Sequence, residues 1–284
     1  MNLQPQIVSA SRAHRLADLA CWSLIEEARL TPKPGLVDAR GSGAHQDLDL
    51  ALMERSALSL RPTFQALAAE CWQRPADVAL RQAVGRLGRE GEAQMMQATA
   101  GVNTHRGAIW ALGLLVSGAA MVAPGGDVRQ IAQAAAAIAR LPDSATPVHF
   151  SKGQRACQRY QVPGAREEAQ RGFPHVTELG LPQLRRSRER GASEPHARLD
   201  ALMAIMTSLA DTCVLSRAGW EGMAAMQRGA RRVLAFGGCG QPAGRAALAH
   251  LDREMLVLNA SPGGAADLLA ATLLLDAIET RLHD

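Results

Sequence analysis

The chain has 284 residues, a formal net charge of +4 and a hydrophobic fraction of 47%. This length is sufficient to bury a large core, and the balance of apolar and charged residues excludes an intrinsically disordered chain. The charge is too weak to indicate a nucleic-acid partner by itself. Alanine supplies 53 residues and aromatic residues only 3%, so helix formers dominate and strand formers are scarce. Composition therefore predicts an all-α fold.

The N-terminal segment and the cysteines bear on the cellular compartment. The first twenty residues lack the charged and apolar regions of a signal peptide, and no run of ~18 apolar residues predicts a membrane span. The five cysteines are scattered without a C-x-x-C pair, which is typical of reduced thiols. We therefore expect a cytoplasmic protein that does not associate with membranes.

Apolar residues at helical spacing, with proline and glycine at the breaks, predict most of the helices. Four prolines predict an irregular segment over residues 142–180, and the polar, basic segment 185–196 is interpreted as a mobile loop. With no repeat and no linker, the sequence predicts a single compact multi-helix domain over residues 1–284. The predicted helices cover residues 9–30, 47–69, 75–100, 107–121, 128–140, 197–217, 220–234, 244–259 and 262–282.

A lysine between two prolines follows the first predicted helix. Pro32 and Pro34 stiffen the loop around Lys33 and remove two amide hydrogens, which leaves the ammonium group as its main polar feature. A compact cation held in this way suits a phosphate oxygen. The alternative is an ordinary helix stop ahead of Gly35.

Four charged or polar side chains fall within twelve residues of the next loop: Asp38, His45, Asp47 and Asp49. Closely spaced carboxylates repel one another unless a cation lies between them, and Mg²⁺ prefers oxygen ligands together with substrate phosphates. The spacing therefore indicates Asp38, Asp47 and Asp49 as candidate magnesium ligands. The alternative is that these acids complement the N-terminus of a helix.

Two further polar turns open predicted helices. Asn103, Thr104, His105 and Arg106 precede an apolar helix, whose free amide hydrogens suit an anion. The second turn carries small residues that allow close approach of a ligand, followed by an acid: Ser261, Pro262, Gly263, Gly264 and Asp267. Plain helix capping is the alternative for both turns, although it does not account for His105 and Arg106.

Taken together, these segments resemble the triphosphoribosyl-dephospho-CoA synthase family. The resemblance extends in order through almost the whole chain, and three of its motifs are long enough to make chance a poor explanation. The matching segments are EARLTPKPGLVD from Glu27, GSGAHQDLD from Gly41, GVNTHRGAIWALGLL from Gly101, GAREEAQRGFP from Gly164, DTCVLSR from Asp211 and SPGGAADLLAAT from Ser261.

The resemblance implies an all-helical enzyme that acts on ATP and 3′-dephospho-CoA. Such an enzyme releases adenine and joins the triphosphoribosyl unit to the 2′-hydroxyl of the dephospho-CoA ribose, with Mg²⁺ expected on the triphosphate. A second transferase then loads the product onto an acyl carrier protein. The Glu167–Glu168 pair and Cys213 resemble the malonate decarboxylase branch more than the citrate lyase branch.

The implied chemistry needs a carboxylate near the reacting ribose carbon, a base for the incoming hydroxyl and cations for the phosphates. Which acid performs which task stays open. The candidate catalytic residues are Glu27, Asp38, His45, Asp47, His105 and Asp267. The candidate substrate-binding residues are Lys33, Pro34, Gly35, Asn103, Thr104, Arg106, Arg166, Ser261, Gly263 and Gly264.

Two other functions fit parts of the sequence. An all-α, magnesium-dependent N-glycosidic hydrolase would use the same acids with water as the acceptor. A helical binding scaffold would use the basic run Arg185–Arg190 to contact RNA or a protein partner, although such a run is more typical of a solvated loop. We expect no nucleic-acid partner.

Overall fold

The computed structural model describes residues 3–145 and 151–282, with side chains from residue 10 onward. Helices account for 72% of the structure, and the described residues contain no β-strand beyond one isolated bridge between Asp38 and Gly41. The all-α prediction is confirmed. A π-helical segment, His175–Gly180, separates the eighth and ninth α-helices. The α-helices are α1 (Leu3–Arg29), α2 (Leu50–Ser59), α3 (Arg61–Cys71), α4 (Val78–Ala98), α5 (Arg106–Met121), α6 (Val128–Arg140), α7 (Lys152–Tyr160), α8 (Ala165–Gln170), α9 (Leu181–Glu189), α10 (Glu194–Met206), α11 (Thr212–Ala235), α12 (Pro242–Val257) and α13 (Gly263–Arg281).

Two apolar helices, α5 and α13, lie at the centre of the molecule. Each is buried around most of its circumference, as expected for a helix that is apolar on all sides. Helices α1, α3 and α6 pack around them on one part of the core, and α10 packs against α13 on another. Although α5 and α13 are apolar, none of the described helices is long and apolar enough to cross a membrane.

Several helices begin at an aspartate or serine that caps the free amide hydrogens of the first turn. Asp49 accepts a hydrogen bond from Leu52 N at 2.7 Å, and Asp77 accepts one from Leu80 N at 2.7 Å. Asp127 forms a reciprocal capping box at the start of α6, which spans the residues that the sequence predicted. Caps of this kind explain why most helix starts could be predicted to within a few residues.

Several predicted segments differ from the structure. The helices expected over residues 197–217 and 220–234 divide earlier, since α10 ends at Met206 and α11 begins at Thr212. The single helix expected over residues 47–69 is two helices, because Pro62 lies in the first turn of α3 and starts a new helix after Leu60. The segment 142–180 was expected to be irregular, but it contains α7, α8 and the π-helical segment. Pro163 and Pro174 lie just ahead of α8 and the π-helical segment instead of interrupting them. Residues 146–150 of this segment lie outside the described residues.

The basic segment 185–196, which the sequence analysis interpreted as a mobile loop, is mostly helical: it consists of the end of α9, a turn over residues 190–193 and the start of α10. Leu181 and Leu184 bury one face of α9, and the arginines on the other face bind acids of neighbouring helices. Arg185 pairs with Glu279, and Arg188 Nη1 lies 2.7 Å from Asp276 Oδ1. These arginines therefore join α9 to α13, which removes the main support for a binding scaffold.

Candidate active site

A cavity of about 460 Å³ lies where the N-terminal turns of four helices meet. Gly107 of α5, Ala165 of α8, Thr212 of α11 and Gly264 of α13 all line it. The positive ends of these helix dipoles therefore point towards the cavity, which favours negative charge there. Gly264 and Asp267 of the predicted 261–267 turn therefore line the cavity, as does Gly107, which directly follows the predicted turn before α5.

Asp267 projects from α13 against the first turn of α5. Its carboxyl group accepts a hydrogen bond from the backbone N–H of Ala108 and also lines the cavity. Burial raises the pKa of Asp267 well above its ordinary value, and the nearby Glu27 and Asp211 carboxylates raise it further. The protonated form is therefore favoured, which makes Asp267 a potential proton donor.

Asp211 joins the N-terminal turns of α11 and α13. Its Oδ1 accepts hydrogen bonds from Cys213 N at 2.8 Å and Val214 N at 3.2 Å, and its Oδ2 accepts one from Ala265 N at 2.8 Å. Burial raises the pKa of Asp211 to about 6 despite these hydrogen bonds. Sequence reasoning did not select this residue, which begins the DTCVLSR segment but lies inside the helix predicted over residues 197–217.

Glu27 and Lys33 form a buried ion pair near Asp267. Their relative exposures are 3% and 1%, and Lys33 Nζ donates to both the carboxylate and the backbone carbonyl of Glu27, the latter at 2.6 Å. The ammonium group that was predicted to contact a phosphate is thus bound by Glu27. The charge of Lys33 also helps to lower the pKa of His105, and the charge of Glu27 helps to raise the pKa of Asp267.

Asp38 is held within its own loop and by an arginine. It accepts hydrogen bonds from Lys33 N and from Arg40 Nη2, each at 2.8 Å. Arg40 Nη1 in turn donates to Asp252 Oδ2 at 2.7 Å, which anchors the loop to α12. Both oxygens of Asp38 are occupied by these partners, so the geometry describes a loop-stabilising role.

Asp47 and Asp49, the other two predicted magnesium ligands, lie in different surroundings. Asp49 caps α2, whereas the side chain of Asp47 is 69% exposed and lies 3.8 Å from His45 Nδ1. Within residues 3–145 and 151–282, no group of three or more His, Cys, Asp or Glu side chains is arranged to hold a metal ion. The three aspartates therefore do not fit a preassembled magnesium site.

His45 connects the 41–49 loop to the turn before α13. Its Nε2 lies 2.8 Å from Ser261 Oγ, while burial and the nearby Arg217 guanidinium lower the pKa of His45. Gly35 approaches the same turn so closely that a Cβ atom there would stand 2.3 Å from the Ala260 carbonyl oxygen. The loop of residues 31–49 and the 261–267 turn are therefore neighbours, although no residue of 31–49 lines the cavity.

His105 is buried at the entrance to α5. Its Nδ1 lies 2.7 Å from Ser56 Oγ, which also contacts Thr104 Oγ1 at 2.5 Å. Its Nε2 has no hydrogen-bond partner among the described residues. Burial, with a contribution from Lys33, lowers the pKa of His105 to about 4, so the neutral imidazole is favoured.

The remaining predicted substrate-binding residues are dispersed around this region. Arg106 Nε donates to Glu92 Oε1 at 2.6 Å, and its backbone N–H donates to Asn103 Oδ1 at 3.3 Å. Arg166 is exposed in the first turn of α8, Pro34 is buried, and Gly263 lies beside Cys213. Of the predicted binding set, Gly264 directly lines the cavity.

Other cavity residues also escaped sequence reasoning, among them Glu168, His175 and Ser208. His175 begins the π-helical segment, a type of helix that occurs often at functional sites. Its Nδ1 lies 2.8 Å from Glu168 Oε2, and its Nε2 lies 3.2 Å from Ser208 Oγ. Only Glu168 carried a signal, since it belongs to the GAREEA segment.

Known proteins match this chain across most of its length. A family model described as ATP:dephospho-CoA triphosphoribosyl transferase matches residues 13–284. A 2-(5''-triphosphoribosyl)-3'-dephosphocoenzyme-A synthase from Klebsiella pneumoniae is 71% identical over 277 residues, which cover 98% of this chain and 99% of that protein. A protein of Stutzerimonas stutzeri strain A1501, named as a probable synthase of the same kind, is 62% identical over 268 residues, which cover 94% and 92% of the two chains.

A solved structure supports the helical architecture. This crystal structure, from Archaeoglobus fulgidus and provisionally assigned as a triphosphoribosyl-dephospho-CoA synthase, covers 79% of this chain and 98% of its own, with a TM-score of 0.53. At 20% identity it bears on the fold alone. The family model and the close relatives, by contrast, span the cavity and all the segments that form it. The chain therefore belongs to the ATP:dephospho-CoA triphosphoribosyl transferase family of enzymes.

Proposed function

We propose that this enzyme transfers the triphosphoribosyl unit of ATP to the 2′-hydroxyl of 3′-dephospho-CoA and releases adenine. The names of its relatives support this reaction. The structural observation that carries the proposal is the position of the Asp267 carboxyl group, whose pKa burial raises, in a cavity surrounded by helix N-termini. The cavity thus combines a proton donor with a site for a polyphosphate.

The chemistry assigns a role to that carboxyl group. When adenine departs, the electron pair of the glycosidic bond goes to a base nitrogen and positive charge develops on the ribose. Asp267 donates a proton to the leaving adenine, and the resulting carboxylate stabilises the charged ribose. The Trp110 ring, which also lines the cavity, offers an aromatic surface for the purine.

The triphosphate occupies the part of the cavity that the helix N-termini surround. Arg171, which lies on the cavity wall, supplies a cation there. Because the predicted aspartates do not form a shared ligand set, we expect Mg²⁺ to arrive with ATP. Asp38 is bound by Arg40 and Asp49 caps α2, so Asp47 is the predicted metal residue that we expect nearest to this complex.

We further propose that the product serves malonate decarboxylase, through a second transferase that loads it onto the acyl carrier protein. The Glu167–Glu168 pair and Cys213 support this branch. In the structure the two glutamates act separately, since Glu167 Oε2 accepts a hydrogen bond from Gly164 N at 3.0 Å while Glu168 holds His175. Deleting the gene should abolish growth on malonate and spare citrate fermentation, whereas the opposite phenotype would assign the enzyme to citrate lyase.

One experiment separates transfer from hydrolysis. The purified enzyme is incubated with ATP and Mg²⁺, with and without dephospho-CoA, and adenine and the nucleotide products are quantified by mass spectrometry. Transfer predicts adenine release that depends on dephospho-CoA and equals the amount of the triphosphoribosyl adduct. Adenine release at the same rate without dephospho-CoA would instead establish an N-glycosidic hydrolase.

A further inference from the structure

His175 is clamped at two points by Glu168. The backbone N–H of His175 donates to Glu168 Oε1 at 2.9 Å, and its ring Nδ1 lies 2.8 Å from Glu168 Oε2. Glu168 itself is only 9% exposed, and both residues line the cavity. The carboxylate therefore fixes the position and the orientation of the imidazole ring.

This clamp determines which ring nitrogen can accept a proton. A carboxylate only accepts hydrogen bonds, so Nδ1 must carry the hydrogen that it shares with Glu168. In the neutral imidazole, Nε2 is then the unprotonated nitrogen. Ser208 Oγ lies 3.2 Å from Nε2, and its hydroxyl group is exposed in the same cavity. A hydroxyl hydrogen at this position is thus directed towards a basic nitrogen.

We propose that His175 is the general base that deprotonates the acceptor hydroxyl, with Glu168 as its positioning residue. This inference deepens the proposed transfer and rests on it. The 2′-oxygen of dephospho-CoA bonds to the ribose carbon as the bond from that carbon to adenine breaks, and the electron pair leaves with adenine. The hydroxyl proton passes to Nε2 of His175, while adenine takes its proton from Asp267.

The cavity thereby holds its acid and its base on separate elements. Asp267 is supplied by α13 and faces α5, whereas His175 is supplied by the π-helical segment and is held by α8. A transfer between two bound substrates needs this separation, because the leaving base and the incoming hydroxyl react at the same carbon. Ser208 marks the place of the incoming hydroxyl and takes no part in the chemistry.

The test uses His175→Ala, His175→Gln, Glu168→Ala, Glu168→Gln and Ser208→Ala in the full-length enzyme. The exposed His250→Gln serves as the matched control. For each variant, kcat, both KM values, the calorimetric affinity for ATP and the melting temperature are measured. Loss of a general base predicts a kcat about 10²- to 10⁴-fold lower for both His175 variants, with unchanged ATP affinity. Added imidazole should restore part of the activity of His175→Ala.

The positioning role of Glu168 predicts a loss in kcat alone, larger for Glu168→Ala than for Glu168→Gln, since the amide oxygen can still accept a hydrogen bond. Ser208→Ala should lose less kcat than either His175 variant, because the Ser208 hydroxyl group takes no part in proton transfer. An active wild type whose His175 variants retain their kcat would overturn the base assignment and leave the transfer standing. A covalent ribosyl adduct on Ser208, absent in Ser208→Ala, would replace it with a nucleophilic serine. A wild type that forms no adduct would overturn the proposed function itself.

Discussion

Asp267 packs so closely on Gly107 that a Cβ atom at position 107 would stand 2.0 Å from Asp267 Oδ2. Glycine is therefore required in the first turn of α5 because the carboxyl group occupies the space of a side chain. The same contact lets the carboxyl accept the backbone N–H of Ala108. The position of the proposed proton donor thus depends on the absence of a side chain at position 107 in α5.

This relationship predicts that Gly107→Ala impairs catalysis by displacing Asp267. A shift of about 1 Å in a reacting group can lower kcat on the order of 10²-fold. Gly88→Ala is the matched control, because Gly88 lies inside α4 and a Cβ atom there would extend into open space. Steady-state kinetics of both variants checks the prediction, and equal activities would show that the carboxyl group can move without consequence.

The Glu27–Lys33 pair is expected to contribute to stability. Both side chains are buried, and removing one partner of a buried pair leaves an uncompensated charge that costs about 3–5 kcal/mol. Lys33→Met should therefore lower the free energy of unfolding by about that amount, whereas Glu27→Gln/Lys33→Met should lose less. Denaturant titration of the two single variants and the double variant measures the coupling. Strictly additive losses would mean that the two groups act independently.

His105 predicts an acid-sensitive component of stability. Burial lowers the pKa of His105 from 6.5 to about 4, so the unfolded chain binds the proton more readily than the folded chain. Protonation of His105 therefore leaves the free energy of unfolding unchanged above pH 6.5. It lowers this free energy by about 3 kcal/mol in total as the pH falls from 6.5 to 4. The free energy of unfolding of His105→Gln should lack this decline, while that of the exposed His250→Gln should retain it. Parallel pH profiles for the wild type and His105→Gln would contradict the linkage.

Local signals made most of the fold predictable. Apolar stretches bounded by glycine, proline or polar turns marked α5, α6 and α13. Helix α9 was missed because its composition is that of a solvated loop. Its arginines are stabilised by Asp276 and Glu279 of α13, which lie 88 and 94 residues further along the chain, and no local pattern reveals such partners.

The candidate site was predictable only in part, because some of its residues carry local signals and others depend on long-range packing. Asp267 and Gly264 belong to a turn whose small residues indicated a ligand, and both line the cavity. Lys33 was interpreted as open to a phosphate, because its burial against Glu27 depends on packing that the sequence does not display. The set of Glu168, His175 and Ser208 forms only when α8, the π-helical segment and the turn before α11 meet.

The central claim is that the chemistry takes place beside Asp267. The most direct measurement compares kcat for adenine release by wild type, Asp267→Asn and Asp47→Asn at saturating ATP and dephospho-CoA. We expect kcat of Asp267→Asn to be at least about 100-fold lower than that of the wild type, since the amide cannot donate a proton to adenine. Asp47→Asn should remain within about tenfold, because the exposed Asp47 side chain affects binding of the metal–triphosphate and takes no part in proton transfer. A nearly normal kcat for Asp267→Asn, with activity lost in Asp47→Asn, would contradict the account and move the chemistry to the 41–49 loop.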